Sequence, residues 1–315
     1  MQHRFVTVTP NPALDIATSV AQLQDSHKLR CAAPQVHPGG GGINVARVLH
    51  RFGAQVLALY PAGGASGDRL QRLLQDEGVP EQRLRIAGET RESFTVHETA
   101  SGREYRFVLP GPNLAPSEWA ATLDALRRLD PAPAWVISSG GLPPGVASDG
   151  HAALARLARG MGARVVVDSS GAALVAALQQ GVCLIKPSLR ELSELAGTDL
   201  STAVLQRQAA RQLIQRGQAQ MVALSLGAGG ALLVTADSCL QATALPVPVQ
   251  GSVGAGDSFL AALVWALDAG HDLHQVLAMA MAAGAAAVMA AGTGLCQPAE
   301  VERLRQQVQI QRLCE

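Results

Sequence analysis

Ser252-Val253-Gly254-Ala255-Gly256-Asp257-Ser258-Phe259 opens an apolar stretch that continues to Ala269. Small residues in a turn let backbone amides approach an anion closely. The start of a helix adds unpaired N–H groups and a favourable dipole. Negative charge growing on a phosphoryl group in transfer would be stabilised there. Asp257 stands where its carboxylate can accept a proton from an attacking hydroxyl. Taken alone, the segment has an ordinary reading as well, because an Asp near a helix start is a common cap and Gly-Ala-Gly a common turn. No GxxxxGK[ST] occurs in the chain. A P-loop is therefore excluded, and a nucleotide's phosphates would fall to this turn.

Outward from this turn, strands and helices alternate. Strand patterns fall at Phe5 to Thr9, Gln55 to Tyr60, Trp135 to Ser138, Arg164 to Asp168, Val182 to Lys186, Met221 to Ser225 and Ala231 to Thr235. Between them the spacing predicts helices from Ile43 to Phe52, Asp68 to Asp76, Ser117 to Arg128, Gly150 to Arg159, Leu174 to Gln179, Arg190 to Ala196 and Thr202 to Arg216. The last third reads as helical: Asp257 to Ala269, Leu273 to Ala291 and Ala299 to Leu313. Such alternation predicts an α/β fold, a doubly wound, mostly parallel sheet with helices on both faces. One pair interrupts it. Ser93 to Glu98 and Glu104 to Leu109 flank Ala100-Ser101-Gly102, which is a hairpin signal. With no repeat or linker visible, the chain reads as one domain over 1–315.

The 315 residues are 48% hydrophobic, enough for a sizeable core. Lys and Arg number 25, as do Asp and Glu, so the formal net charge is +0. That argues against a broad basic field for nucleic acid or an anionic membrane. Cys31, Cys183, Cys239, Cys296 and Cys314 are odd in number and show no metal spacing, as expected of reduced thiols in a cytoplasmic protein. No apolar leader follows Met1, and the Ala-rich tract from Leu277 to Ala291 is shorter than the roughly 18 residues of a membrane span.

The segment Gly254 to Phe259 resembles a signature of the PfkB, or ribokinase-like, carbohydrate kinases. A second marker is Gly39-Gly40-Gly41-Gly42-Ile43-Asn44-Val45-Ala46-Arg47. Further likeness runs through Lys28 to Cys31, Tyr105 to Val108, Leu142 to Val146, Val167 to Gly171 and Ser225 to Gly227. Within the family it is greatest to ATP-dependent 6-phosphofructokinases. The resemblance implies a large α/β body with a small β-sheet lid, here roughly 15–36 and 90–110, through which two subunits pair. It implies phosphoryl transfer from ATP, with Mg²⁺, to the C1 hydroxyl of fructose 6-phosphate.

It also implies roles. Asp257 is the base, beside the anion turn of Gly254, Ala255 and Gly256. Asp15, Gly39, Gly40, Gly41, Gly42 and Asn44 hold the sugar. Arg91 binds the substrate phosphate, as a planar fork suits, with Arg30 and Arg106 as weaker candidates. Lys28 corresponds to a lysine near the substrate and an inhibitory nucleotide site. Lys186, Ser188, Glu191, Ser225, Gly227 and Gly230 fall on the nucleotide side, with Glu191 ordering Mg²⁺. Each also has a plain reading, as surface charge, turn or helix start.

The chain departs from the family pattern in places. Ser188 replaces an Asn of the Asn-x-x-Glu element, and Gly141 replaces a serine that touches the sugar phosphate, with Ser138 and Ser139 close by. Ala290 and Gly294 replace polar residues of a K⁺ loop. Such a loop works partly through carbonyls, so K⁺ activation is not excluded. Kinases for fructose 1-phosphate or tagatose 6-phosphate, and a non-catalytic sugar-phosphate binder on the same scaffold, remain open alternatives. A dinucleotide oxidoreductase fits poorly: Gly39 to Gly42 is not GxGxxG, and no acid follows about 20 residues on.

Overall fold

The computed structural model describes residues 3–290 and 292–313. Among them the strands are β1 (Phe5–Val8), β2 (Ala13–Val20), β3 (Gln35–Gly39), β4 (Val56–Ala62), β5 (Glu81–Arg85), β6 (Arg91–Glu98), β7 (Arg103–Val108), β8 (Trp135–Ser139), β9 (Arg164–Asp168), β10 (Val182–Ile185), β11 (Ala219–Ser225), β12 (Ala231–Val234), β13 (Cys239–Ala242) and β14 (Ile310–Arg312). The helices are α1 (Gly41–Arg51), α2 (Gly64–Asp76), α3 (Pro116–Arg127), α4 (Gly150–Gly160), α5 (Gly171–Leu178), α6 (Leu189–Ala196), α7 (Ala203–Gln215), α8 (Ala255–Asp268), α9 (Leu273–Val288) and α10 (Pro298–Arg305).

Ten strands form one sheet in the order β14-β13-β12-β11-β10-β9-β8-β1-β4-β5. Neighbours are parallel from β5 to β11, and β12 to β14 add an antiparallel edge. Side-chain alternation explains why both faces are covered. In β4, Val56, Ala58, Tyr60 and Ala62 enter a core shared with α1, α2, α8, α9 and α10. Leu57 and Leu59 enter the opposite core, with α3 to α7. Leu260 and Leu263 of α8 are fully buried, so truncating either to Ala would cost about 2–5 kcal/mol.

A second sheet, β3-β2-β6-β7, stands apart from the first. Its β6–β7 hairpin is where the sequence places one, with Ser93 opposite Val108 and His97 opposite Glu104. From the N-terminal part of the chain this sheet takes 13–20 and 35–39 as strands; 21–34 is a loop whose side chains are mostly exposed.

Three expectations change. The helix expected from Ala299 to Leu313 stops at Arg305, and Ile310–Arg312 instead pairs antiparallel with β13. The run Gln306-Gln307-Val308-Gln309 has too few apolar residues to bury a helical face, whereas Ile310 aligned with Ala242 extends the sheet. The helix expected from Asp68 begins at Gly64. The helix beginning at Leu273 ends at Val288; Ala291 lies outside the described residues, as does Cys314. Cys31, Cys183, Cys239 and Cys296 are free thiols. Among the described residues no helix is long and apolar enough to cross a membrane.

Candidate active site

The carboxyl ends of β1, β8, β9 and β10 lie side by side in the sheet, which is where open parallel sheets place their ligands. A cleft of about 480 Å³ opens there, between the large sheet and the small one.

At its floor is the start of α8. Gly254 caps the helix with φ 79° and ψ 0°, a left-handed conformation that a side chain resists. A Cβ there would also overlap the Leu295 side chain. The first α-helical bond of this turn runs from Ser258 N to Gly254 O at 2.8 Å, so the amides of Gly256 and Asp257 precede it and belong to the unpaired helix end. The cap position is held by Gly254, and Asp257 lies within the first turn of the helix. Asp257 Oδ2 accepts from Asn44 Nδ2 at 2.8 Å. The plain reading of this Asp as a cap is therefore not realised, and the carboxylate lines the cleft.

Burial, reinforced by the neighbouring Asp168 carboxylate, pushes the Asp257 pKa up to about 6 against the Asn44 hydrogen bond and Lys186. That value suits a group that takes a proton near neutral pH. Lys186, just past β10, pairs with Asp168, just within β9, at 3.2 Å. Burial works against its ammonium, but Asp168 and Asp257 outweigh that and hold its pKa above the ordinary lysine value. Ser139 Oγ donates to Asp168 Oδ2 at 3.3 Å. Gly41 packs against this group so closely that a Cβ would overlap Ser139 Oγ and stand 3.4 Å from Asp257 Oδ1.

The small sheet supplies the opposite wall. Asp15 on β2 and Arg91 on β6 both line the cleft, with Ser93 and Arg106 beside them. Burial raises the Asp15 pKa, opposed by Arg106, Arg91 and Arg47. Arg91 is anchored through Nη2 to Asn11 O at 3.0 Å and through Nη1 to Leu109 O at 3.3 Å, which aims its fork instead of leaving it mobile. Gly39 backs Asp15 so tightly that a Cβ would overlap its carboxylate, and Gly42 packs against Thr9 and the Val8 carbonyl. Gly40 joins Gly41 and Asn44 in the cleft wall.

At the β10 side, Ser188 and Glu191 form a capping box on α6: Glu191 N donates to Ser188 Oγ at 3.3 Å, and Ser188 N donates to Glu191 Oε2 at 2.8 Å. Both residues line the cleft. Ser188 is thus the N-cap of α6. Ser225 bridges to Ser188 across neighbouring chain segments, and Gly227–Gly229 is a short 3₁₀ turn ending at Gly230. Ser225, Gly227 and Gly230 are not among the residues that line the cleft.

Lys28 and Arg30 are not brought to this cleft. Both are exposed in the 21–34 loop. Conversely, the sequence reading assigned no role to Asp168, Ser139 or His151. Asp168 carried a signal, an acid at the end of a strand pattern. His151 carried none: it is fully buried on α4. Its Nε2–H donates to Gly140 O at 3.0 Å, and its Nδ1 accepts from Ser138 Oγ at 2.7 Å. Burial lowers its pKa to about 4, so it stays neutral and props the Gly140-Gly141 turn. Ser138 therefore faces away from the cleft, while Ser139 and Gly141 line it.

The family description "pfkB family carbohydrate kinase" matches residues 9–300. The chain is 45% identical over 300 residues to the ATP-dependent 6-phosphofructokinase isozyme 2 of Mycobacterium tuberculosis, covering 95% of this chain and 88% of that one. It is 41% identical over 302 residues to the Escherichia coli protein of the same name, covering 96% and 97%. The crystal structure of phosphofructokinase-2 from Escherichia coli in complex with substrates and products superposes with a TM-score of 0.92 at 39% identity, covering 96% and 99%. A base-like carboxylate at a glycine-capped helix, a cleft between two sheets and likeness over nearly the full length agree, and the chain belongs to the pfkB family of carbohydrate kinases.

Proposed function

We propose that this protein transfers the γ-phosphoryl group of ATP to the C1 hydroxyl of fructose 6-phosphate, giving fructose 1,6-bisphosphate and ADP. The observation that carries the reading is Asp257, half-buried at the α8 start, hydrogen-bonded by Asn44 and facing the cleft. Asp257 receives the hydroxyl proton as the new O–P bond forms and the bond to the β-phosphate oxygen breaks. The amides of Gly256 and Asp257 face the charge on the moving phosphoryl group. Lys186, tied to Asp168, adds a fixed positive charge at the same point. Asp15 and Asn44 grip the sugar hydroxyls, and Arg91 with Arg106 takes the 6-phosphate.

Among the described residues no three His, Cys, Asp or Glu side chains gather to cage a metal. This fits Mg²⁺, which arrives on nucleotide phosphates and keeps most of its waters. Glu191 would be its protein-side carboxylate, and the ion would neutralise charge on the triphosphate. K⁺ belongs to the reading only through backbone oxygens. The carbonyls of Ala290 and Gly292 both stand 3.7 Å from where a Gly251 Cβ would lie, whereas the Gly294 carbonyl is held by Arg51 Nη1 at 2.8 Å.

The small sheet serves as a lid that excludes water; Val108 lines the cleft, and Phe107, its neighbour on β7, leaves an exposed apolar side chain on the opposite face. A second copy of this chain would cover that face, giving a homodimer. Free thiols suit a cytoplasmic setting. The test is coupled turnover with MgATP and a panel of fructose 6-phosphate, fructose 1-phosphate, tagatose 6-phosphate and free sugars, with and without K⁺. Preference for fructose 6-phosphate is expected. Preference for fructose 1-phosphate would reassign the substrate, and sugar-phosphate binding without turnover would make the protein a binder.

A further inference from the structure

Below the sugar-facing turn lies a half-buried ion pair that the proposed chemistry does not use. Arg47, on α1, is only 1% exposed. Its Nε donates to Glu77 Oε2 at 2.9 Å, and its Nη2 donates to Glu77 Oε1 at 2.6 Å. The remaining edge, Nη1, donates to Pro38 O at 3.1 Å and, at 3.4 Å, to both Thr293 O and Asn44 Oδ1. Asn44 is three residues earlier on the same helix, so the two side chains share a face. Asn44 Nδ2 then donates to Asp257 Oδ2 at 2.8 Å.

We propose that Glu77 and Arg47 are positioning residues, which lock the side-chain amide of Asn44 with its NH₂ end toward Asp257. The inference rests on Asp257 being the base. A guanidinium only donates, and an ionised carboxylate only accepts. An amide between them has one satisfactory orientation, with oxygen to Arg47 and nitrogen to Asp257. Reversed, it would set donor against donor and acceptor against acceptor. Glu77 fixes the guanidinium by a two-point fork, and the Pro38 and Thr293 carbonyls hold its free edge, so the amide meets a rigid partner.

A buried ion pair is weak as a stabilising device, since apolar packing often does as well. Placement at one remove from the base gives this pair a use that packing would not. Other charged groups face the same network. Arg51 Nη2 lies 3.5 Å from Glu77 Oε2, and His37 lies near both. Asp257 also faces Asp168, Lys186 and Asp15.

The experiment measures kcat, both KM values and the kcat–pH profile of full-length Glu77→Gln against the unaltered protein. Loosening the amide should lower kcat about 10-fold or more, as misplacement near a reacting centre does. KM for ATP should stay within about two-fold, whereas KM for fructose 6-phosphate should rise, because Asn44 also grips the sugar. The acidic limb should move to higher pH, because the hydrogen bond favouring ionised Asp257 is no longer held. Asn44→Asp, which can accept from Arg47 but cannot donate to Asp257, should move that limb the same way. An unchanged kcat and limb in Glu77→Gln overturns the inference, and so does a lower kcat with the limb in place, which is a structural effect only. If Glu77→Gln does not fold, Glu77→Asp carries the same readouts. Asp257→Asn separates the two levels: turnover in that variant sinks the base assignment, whereas its inactivity beside an unaffected Glu77→Gln sinks only the relay.

Discussion

Asn44 and Asp257, 213 positions apart in the chain, meet through a single 2.8 Å hydrogen bond across the floor of the cleft. The bond joins the α1 and α8 starts, and so joins the residues proposed to hold the sugar to the residue proposed to take its proton. It also opposes the burial and the Asp168 charge that raise the Asp257 pKa. Alignment of the base and its readiness to accept a proton thus depend on the same contact.

Replacing Asp257 with Asn keeps the shape and removes the proton acceptor. kcat should fall by about 10²–10⁴-fold, the range for a lost general base. Binding of ATP and fructose 6-phosphate, read by calorimetry, should change little. A variant with near-normal kcat would rule out the assignment.

The pH profile follows from the same carboxylate. A base works ionised, so kcat/KM should rise with pH through about 6 and level off above it, as the raised Asp257 pKa dictates. A rise centred near the usual Asp value of about 3.9 would mean that a different or more exposed acid limits the rate.

Stability should respond with the opposite sign. The folded Asp257 pKa, about 6, exceeds the ordinary Asp value of 3.8. Between those values the folded state binds the extra proton, and above them it carries a half-buried charge that the unfolded chain solvates. Asp257→Asn should therefore be the more stable protein at pH 8, by up to about 3 kcal/mol from the size of the shift. The advantage should fade as pH falls through 6. Melting curves of both proteins at pH 8 and pH 5 would show it. His151 acts in the other direction. Its depressed pKa, about 4, favours folding above the usual His value, and that contribution is lost as pH falls toward 4. It is common to both proteins and cancels in the comparison.

Arg91→Ala should raise KM for fructose 6-phosphate about 10-fold or more, with little effect on KM for ATP, because a forked charge-assisted contact to phosphate is lost from one side of the cleft. Arg91→Lys should recover only part of it, since an ammonium cannot reproduce the fork. Equal effects on both KM values would place Arg91 in the architecture of the small sheet instead.

The parallel body was legible because its strands are buried on both faces and read as short apolar runs, such as Val165-Val166-Val167. The β6–β7 hairpin was legible from its turn. By contrast, β5, with the sequence Glu-Gln-Arg-Leu-Arg, has no apolar run. It is a strand because β4 supplies a parallel partner, as in Leu59 beside Gln82. β14 likewise exists only because β13 leaves an edge to pair. In the site, Asp257 and the glycines announced themselves by local spacing. The pairings Lys186–Asp168, Asn44–Asp257 and His151–Gly140 join residues 11 to 213 positions apart on different elements, and no local pattern encodes them.

Gly254 offers a test of the helix start that leaves the base in place. Its φ of 79° strains any residue with a Cβ, and the added atom would also press on Leu295. Left-handed strain alone costs about 1–2 kcal/mol, and the clash adds to it. Gly254→Ala should therefore either unfold at lower temperature or relax by rotating the first turn of α8. Rotation would turn the Gly256 and Asp257 amides from the cleft, so kcat should fall far more than sugar-phosphate affinity does. Gly270→Ala supplies the control: its φ of 78° is as strained, but nothing lies within 4 Å of the added carbon and it sits at the far end of the helix. It should lose comparable backbone stability while keeping kcat. If Gly254→Ala loses stability but turns over as fast as Gly270→Ala, the amides of that turn do not hold the transferring phosphoryl group.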